Sequence, residues 1–357
     1  MPGRFLERIL SKRFVELLGQ RMRRKQNRLL FLGGERLPLS FESQLDAGHP
    51  PLVTVVIVTR NRRNDNVECV QSVLASDYPQ LEIIVVDNGS RDGTVEVVKE
   101  KFPSVRLIAN QDNLGLAEAR NIGQRVARGD HILFLDSDTS IDSRMISELV
   151  HFLINPQIAF SSPKMYSYFE PSRVWYAGAL FSLISGRALN LGGLEVDTGQ
   201  FEAVLTTSHA PTAFMVKKNV ADRLGGHDNL FFMSYADSDF CIRMWTAGYF
   251  GVYVPKAVLY HKTHRHDASE SLRAMGMNAP SRAYYYARNK VIFMKRHTSR
   301  VGFLVFLLVF FPAYHVVYTK MILKNRGSRE YLIQYWKGAV DGLKYAFSSK
   351  LLSQGPK

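Results

Sequence analysis

With 357 residues, 46% of them hydrophobic, the chain can bury one large core or two smaller ones, so its fold requires neither a disulfide nor a structural metal. Its only two cysteines, Cys69 and Cys241, sit inside apolar helical patterns and are expected to be buried free thiols, which leaves no disulfide framework to look for. Lys and Arg total 46 against 32 Asp and Glu, and the formal net charge of +14 calls for a polyanionic neighbour: nucleic acid, an anionic membrane surface or a phosphorylated substrate.

Residues 1–32 carry much of that excess. Arg4, Arg8, Lys12, Arg13, Arg21, Arg23, Arg24, Lys25 and Arg28 stand against only Glu7 and Glu16. Leu10, Phe14, Leu17, Leu18 and Met22 recur beside them at helical spacing, which predicts a basic amphipathic helix lying on an anionic bilayer. Packing of the same face on the protein's own core is the alternative. No long apolar core with a small-residue cleavage site is present, so a secretory signal is not expected here. Residues 33–51 hold Gly, Pro and Ser without periodicity and read as a linker.

From Val53 to Thr59 the chain is too uniformly apolar for a half-exposed strand and predicts a central parallel strand. A helical rhythm follows over 65–76, then a strand over 81–86 that ends at Asp87, a helix over 93–101, a short strand over 105–108, a helix over 114–127 and a strand over 132–135. This alternation predicts a doubly wound α/β unit whose ligand lies at the carboxyl ends of the strands. Thr59, Asp87 and Asp136 all fall at such ends. Neither Gly-x-Gly-x-x-Gly nor Gly-x-x-x-x-Gly-Lys-Ser/Thr follows the first strand, which disfavours a dinucleotide dehydrogenase or a P-loop nucleotidase. A nucleotide held by side chains and a metal remains.

Asp136-Ser137-Asp138 closes the strand His131–Leu135, and two carboxylates at i and i+2 there can hold a divalent cation against a diphosphate. Asp237-Ser238-Asp239 and then His261 add further acids and an imidazole about 100 residues later. Either pattern alone is also a common turn composition. Asn88-Gly89-Ser90 fits a glycosylation acceptor but directly follows a strand, and it reads as a turn in a ligand site.

Five segments in order carry a resemblance: Val55-Val56-Ile57-Val58-Thr59-Arg60-Asn61; the run from Glu82 to Thr94; Asn113-Leu114-Gly115-Leu116-Ala117 with Ala119-Arg120-Asn121-Ile122-Gly123; Phe134-Leu135-Asp136-Ser137-Asp138; and Phe231-Phe232-Met233 leading to Asp237-Ser238-Asp239-Phe240-Cys241-Ile242-Arg243. The chain resembles the inverting family 2 glycosyltransferases of the GT-A fold, and among them the bacterial rhamnosyltransferase-like enzymes. The match covers residues 52–265, with a looser echo at Tyr284-Tyr285-Tyr286-Ala287-Arg288-Asn289. The resemblance implies a Rossmann-like mixed sheet flanked by helices, a UDP or dTDP sugar donor, and Mg²⁺ or Mn²⁺. It implies that Thr59 and Asp87 contact the nucleotide base, with Arg60, Asn61, Asn113 and Arg120 in the same nucleotide-binding set. It places Asp136 near the ribose and metal, Asp138 and His261 as metal ligands, and Asp237 as general base with Asp239 beside it. Two departures are visible: Ala236 stands where the family pattern usually has Glu, and Arg60 where an aromatic residue is common.

On this reading the acceptor hydroxyl loses its proton to Asp237 while attacking opposite the diphosphate, a single displacement with inversion. The apolar run Leu230-Phe231-Phe232-Met233 is expected to raise the pKa of Asp237, and Asp239 is expected to open the following helix as a cap or acceptor contact. His209, His227, His264 and His266 compete with His261, which alone ends a strand-like run, Ala257-Val258-Leu259-Tyr260.

Residues 266–357 predict a helical region. Within it 301–318 has no formal charge and sits at the short edge of what spans a bilayer. It is flanked by Arg288, Lys290, Lys295, Arg296 and Arg300 before it and by Lys320, Lys324, Arg326 and Arg329 after it. A helix embedded in or lying on the cytoplasmic face of the membrane is expected, with a true span, a buried hairpin or a homodimer surface as alternatives. The implied acceptor is then a polyprenyl-linked saccharide or a glycolipid. Nucleic acid is not expected, because Asp136, Asp138, Asp237 and Asp239 would repel its phosphates. A nucleotidyltransferase on a similar fold, or a degenerate membrane-associated scaffold, are the competing functions.

Overall fold

The computed structural model describes residues 32–35, 50–262, 277, 279–324 and 328–348. The expected basic amino-terminal helix and most of the linker lie outside the described residues, as do His264 and His266. Strand β1 (Val53–Thr59) is followed by α1 (Arg63–Leu74), β2 (Leu81–Asn88), α2 (Thr94–Lys101), β3 (Arg106–Asn110), α3 (Leu116–Val126) and β4 (His131–Asp136). The continuous apolar runs of β1, β2 and β4 are buried along almost their whole length because helices cover both faces.

After β4 come β5 (Thr139–Ile141), α4 (Met145–Leu153), β6 (Ile158–Ser167), β7 (Arg173–Ser182), β8 (Arg187–Val196), β9 (Leu205–Thr206), β10 (Ala213–Lys217), α5 (Lys218–Arg223), α6 (Ala236–Thr246) and β11 (Phe250–His261). One sheet runs in the order β3-β2-β1-β4-β10-β6-β11-β5. Its first four strands are mutually parallel, β10 is antiparallel to both β4 and β6, and β7 and β8 extend from β6 as an antiparallel ribbon. The sheet is therefore mixed. Parallel pairing aligns strand ends: Thr59 sits opposite Asp87, and Asp136 opposite Val58. Cys69 and Cys241 are buried free thiols.

Helix α7 (Pro280–His297) leads to α8 (Arg300–Leu323) and α9 (Ser328–Phe347). Helix α8 passes through a wide π-type turn at Phe306–Phe310, just before Pro312, which has no N–H to give the preceding turn. Among the described residues it is the one helix long and apolar enough to cross a membrane. It stays largely uncovered by the protein: Val301 and Leu308 are 71% and 68% exposed, and Leu304, Val309 and Val316 are exposed with them.

Helix α9 docks on α7 through Gly338 and Gly342. A Cβ on Gly338 would lie 2.1 Å from the Tyr284 carbonyl oxygen, a backbone atom that cannot swing aside. Ala is worth about 1 kcal/mol over Gly in a helix, but overpacking of this kind costs about 1–3 kcal/mol. Gly338→Ala is accordingly expected to lower the thermal unfolding midpoint. An unchanged or raised midpoint would mean that α9 is not seated so closely.

Candidate active site

The carboxyl ends of β1, β2 and β4 form one polar rim. Asp87 is buried at the end of β2; its Oδ1 accepts from the Ser90 backbone N–H at 2.9 Å, and its Oδ2 has no partner. The neighbouring Thr59 hydroxyl is buried and likewise unpartnered. Two buried polar atoms left open side by side are what a hydrogen-bonding ligand would satisfy. Asn61, at φ 51°, ties the two loops together: its N–H donates to Ser90 Oγ and its Oδ1 accepts from the Arg91 N–H, both at 2.8 Å. Arg60 is exposed.

Asn113 works within the protein. Its Oδ1 accepts from Asn88 Nδ2 and from the Gly115 N–H, closing the turn into α3. Gly115 is required there, since at φ 86° a Cβ would meet the Phe232 ring at 2.5 Å. The adjacent Leu116 N–H donates to the Phe232 carbonyl at 2.7 Å, which joins α3 to the loop before α6.

Arg120 departs from the sequence expectation. Its guanidinium has no exposed surface and bridges two carboxylates beneath the rim, with Nη2 donating to Asp136 Oδ1 at 2.8 Å and Nη1 to Asp237 Oδ1. It positions acids rather than presenting itself to a nucleotide. His227 Nε2 lies 3.3 Å from the same Asp237 oxygen, and burial pushes this histidine down to about 4. Burial opposes ionisation of Asp237, but Arg120 and His227 outweigh it and hold the carboxyl at about 2. The upward shift expected from the apolar run at 230–233 is therefore reversed, because a buried cation in contact outweighs apolar neighbours. Asp136 moves the other way, up to about 6, since burial and the nearby Asp138 and Asp237 charges overcome Arg120.

Asp138 Oδ1 faces His261 Nε2 at 3.5 Å, and Asp138 Oδ2 faces Arg62 Nη2 at 3.7 Å. Burial opposes its ionisation, yet His261 and Arg62 keep its carboxyl below the ordinary value. His261 ends β11 with its ring roughly perpendicular to that of Trp175, ring centres 4.5 Å apart, and the Lys262 N–H donates to the Asp138 carbonyl at 2.9 Å, which fixes the pair. Cis donors on an octahedral cation with ~2.1 Å bonds stand roughly 3 Å apart, so Asp138 and His261 fit two positions of one small divalent ion. No three His, Cys, Asp or Glu side chains among the described residues group closely enough to hold a metal alone. Asp136, engaged with Arg120, does not complete a three-residue set. Substrate oxygens and water would have to supply the remaining positions.

Asp239 is set apart from the rim. It is fully buried, three residues past Ala236, where α6 begins, and accepts from Arg243 Nε at 2.8 Å and Arg296 Nη1 at 3.1 Å with His297 Nε2 at 2.8 Å. Neither the helix-opening role nor the acceptor contact suits a carboxylate enclosed in this way. Burial opposes its ionisation, and His297, Arg243 and Arg296 together depress its pKa strongly. A depressed carboxylate adds stability above its unfolded value, ~3.9, and that stability is lost as the pH falls through the folded value. Removing one partner from a buried ion cluster costs about 3–5 kcal/mol, so Asp239→Asn is expected to destabilise the fold at neutral pH and to narrow the gap to wild type in strong acid. Equal denaturant midpoints at pH 7 would refute this.

Helix α7 also grips the loop before α6. Asn289 Nδ2 donates to the carbonyls of Met233 and Ser234 at 3.0 and 2.9 Å, and Arg288 Nη1 donates to the Leu230 carbonyl at 3.1 Å. The loop needs the grip, since Ser234 and Tyr235 take φ values of 31° and 71°. Arg62, Lys262 and Trp175 are not among the site residues expected from the sequence, and His227, expected only as a competitor of His261, instead stands beside Asp237. Adjacency to Asn61 and His261 was a usable signal for Arg62 and Lys262, whereas no local pattern marks Trp175.

Residues 54–225 match the family model described as Glycosyl transferase family 2. The chain is 28% identical over 222 residues to the N-acetylglucosaminyl-diphospho-decaprenol L-rhamnosyltransferase of Mycobacterium tuberculosis, which covers 54% of this chain and 69% of that protein. It is 33% identical over 117 residues to the UDP-Glc:alpha-D-GlcNAc-diphosphoundecaprenol beta-1,3-glucosyltransferase WfaP of Escherichia coli, covering 32% of this chain and 46% of that protein. The chain spans less than half the length of several curated relatives it matches. Among solved structures, the mannosyltransferase PcManGT from Pyrobaculum calidifontis, in complex with GDP-Man and Mn²⁺, superposes with a TM-score of 0.55 at 17% identity over 93% of this chain and 94% of that one. That likeness concerns the fold.

Proposed function

Residues 54–225 belong to glycosyl transferase family 2 within a GT-A-like α/β fold, and from that premise we propose that the protein moves a sugar from a UDP or dTDP donor to a hydroxyl of a lipid-linked saccharide or glycolipid. The observation that carries the proposal is the rim itself, where open hydrogen-bonding atoms of Thr59 and Asp87 stand on the same strand ends as Asp136 and Asp138. A pyrimidine imide N–H would donate to Asp87 Oδ2. Asp138 and His261 would hold Mg²⁺ or Mn²⁺, whose chemistry when bound is to offset negative charge on the leaving diphosphate. Arg120 holds Asp237 in place under the sugar-acceptor space. Asp237 stays ionised at neutral pH and takes the acceptor proton.

The lipid-linked acceptor is supported by the uncovered apolar face of α8 and by the two relatives above, whose names specify a diphosphoundecaprenol-linked and a diphospho-decaprenol-linked N-acetylglucosamine. On this reading the protein works at the cytoplasmic face of the membrane, shallowly embedded. Incubation with a panel of nucleotide sugars and a membrane lipid extract, followed by mass spectrometry, should yield a lipid heavier by one sugar with one pyrimidine donor. No transfer and no donor hydrolysis across the panel would end the proposal. Flotation of the full chain with acidic liposomes is expected, and release should need detergent rather than salt alone, because apolar burial is not screened.

A further inference from the structure

Among the described residues sixteen large apolar side chains are exposed, and eleven of them lie on α8 and α9. On α8 the uncovered positions run along one side from Val301 to Leu323. On α9 they are Ile333, Trp336, Val340 and Phe347, whose spacings of three, four and seven belong to a single helix face. The opposite face of α9 is buried, and its Gly338 and Gly342 press on α7. Docking on the protein therefore uses one side of α9 and leaves a second apolar side uncovered.

The two helices run side by side in opposite directions. Ring centres lie 6.2 Å apart for Phe303 and Phe347, 6.0 Å for Tyr318 and Tyr335, and 4.9 Å for His315 and Trp336, so the numbering falls along α8 as it rises along α9. Trp336 and Phe347 are thus on the α8 side of the α9 stripe, and the helical turn per residue puts Lys337 and Lys344 on its outer side. Both lysines are exposed. Over the two helices Arg300, Lys320, Arg329, Lys337 and Lys344 stand against Glu330 and Asp341. Asp341 is half-buried, accepts from the Tyr284 hydroxyl at 3.1 Å and lies 3.6 Å from Lys344.

An apolar stripe edged by exposed lysines suits a helix lying in the plane of an anionic bilayer. A second copy of the chain suits it less, because a two-fold contact sets this positive surface against another of the same charge. Length and composition alone would let α8 cross a membrane. Its packing opposes that. With α9 alongside, a perpendicular α8 would carry Lys337, Asp341 and Lys344 into the hydrocarbon, where ionised side chains are strongly disfavoured.

We propose that α8 and α9 together form a docking platform that lies in the plane of an anionic bilayer, with the apolar stripes in the acyl region and Lys337 and Lys344 among the lipid phosphates. This rests on the membrane association proposed above and adds the second helix, the orientation and the lipid charge. Helix α7 links the platform to the chemistry, since it carries α9 and its Asn289 holds the carbonyls of Met233 and Ser234 in the loop that leads to Asp237.

The test uses the full-length protein on liposomes of phosphatidylcholine and phosphatidylglycerol, with a nitroxide on one introduced thiol: Leu304→Cys, Val316→Cys, Val340→Cys or Phe347→Cys. Cys69 and Cys241 are buried, so the native thiols stay unlabelled. Depth is read from relaxation by oxygen and by a water-soluble nickel complex. The expected result is four labels at nearly equal, shallow depth. A spanning α8 would separate the labels at 304 and 316 by about 18 Å along the membrane normal and would overturn the proposal, as would two α9 labels in water. Lys337→Gln combined with Lys344→Gln should weaken binding to these liposomes at least ~10-fold, the scale for two basic residues at a charged surface, and leave binding to pure phosphatidylcholine unchanged. No loss, or equal loss on both lipids, would refute the role given to the lysines. Labels shielded from both relaxants before liposomes are added would show that a second copy covers the face instead. Failure of the wild type to float would end the membrane association itself, whereas flotation with the wrong depths counts against the platform alone.

Discussion

Asp237→Asn is expected to bind donor as the wild type does and to lose at least ~10²-fold in kcat, the lower end for a positioned general base. The expectation comes from what surrounds the carboxylate. Asp237 is partly exposed at the rim, whereas Arg120 and His227 approach it from beneath. The amide is the same size and keeps an oxygen for Arg120 to donate to, and Asp136 remains as a carboxylate partner of Arg120, while the negative charge and with it the ability to take a proton are lost. Donor affinity is measured separately by titration with the nucleotide. The pairing also constrains the pH profile: with its carboxyl held at about 2, Asp237 is ionised throughout the ordinary range and contributes no acid limb above pH 4. A kcat near wild type in Asp237→Asn would remove this residue from the chemistry.

Asp138→Ala should abolish transfer and metal-dependent nucleotide binding and leave thermal stability nearly unchanged. Asp138 is partly exposed at the rim, so no apolar core is lost, and Arg62 retains its contact with Asp65. His261 alone offers one donor, too few to hold a small divalent ion together with a diphosphate. Titration of Mn²⁺ in the presence of UDP reads the effect directly. Full activity of the variant with either Mg²⁺ or Mn²⁺ would show that the ion is held elsewhere.

The rim was legible in the sequence because parallel strands are covered on both faces. Their unbroken apolar runs announce where each strand ends, and the first polar residue after the run is at the ligand face. Thr59, Asp87 and Asp136 were placed this way, and their register in the sheet agrees. The ribbon of β7 and β8 was not legible. β7 carries an apolar run from Val174 to Phe181, but β8 is mostly uncovered and polar-interrupted, and the pairing of the two shifts register on either side of Tyr176. The same limit applies to Arg120. A single arginine in a helix reads as a ligand contact or a solvated charge, and only the approach of α6 to β4 turns it into a buried bridge between Asp136 and Asp237. The pKa of Asp237 was misjudged for that reason: local apolar neighbours are visible in sequence, and a cation 117 residues away is not.

With Asp237 proposed as the single base, the proposed reaction is a single displacement. NMR of the first-formed glycoside, compared with the donor, tests that claim most directly. The predicted product has the anomeric configuration opposite to the donor's, and a product that retains the donor's configuration would contradict the account.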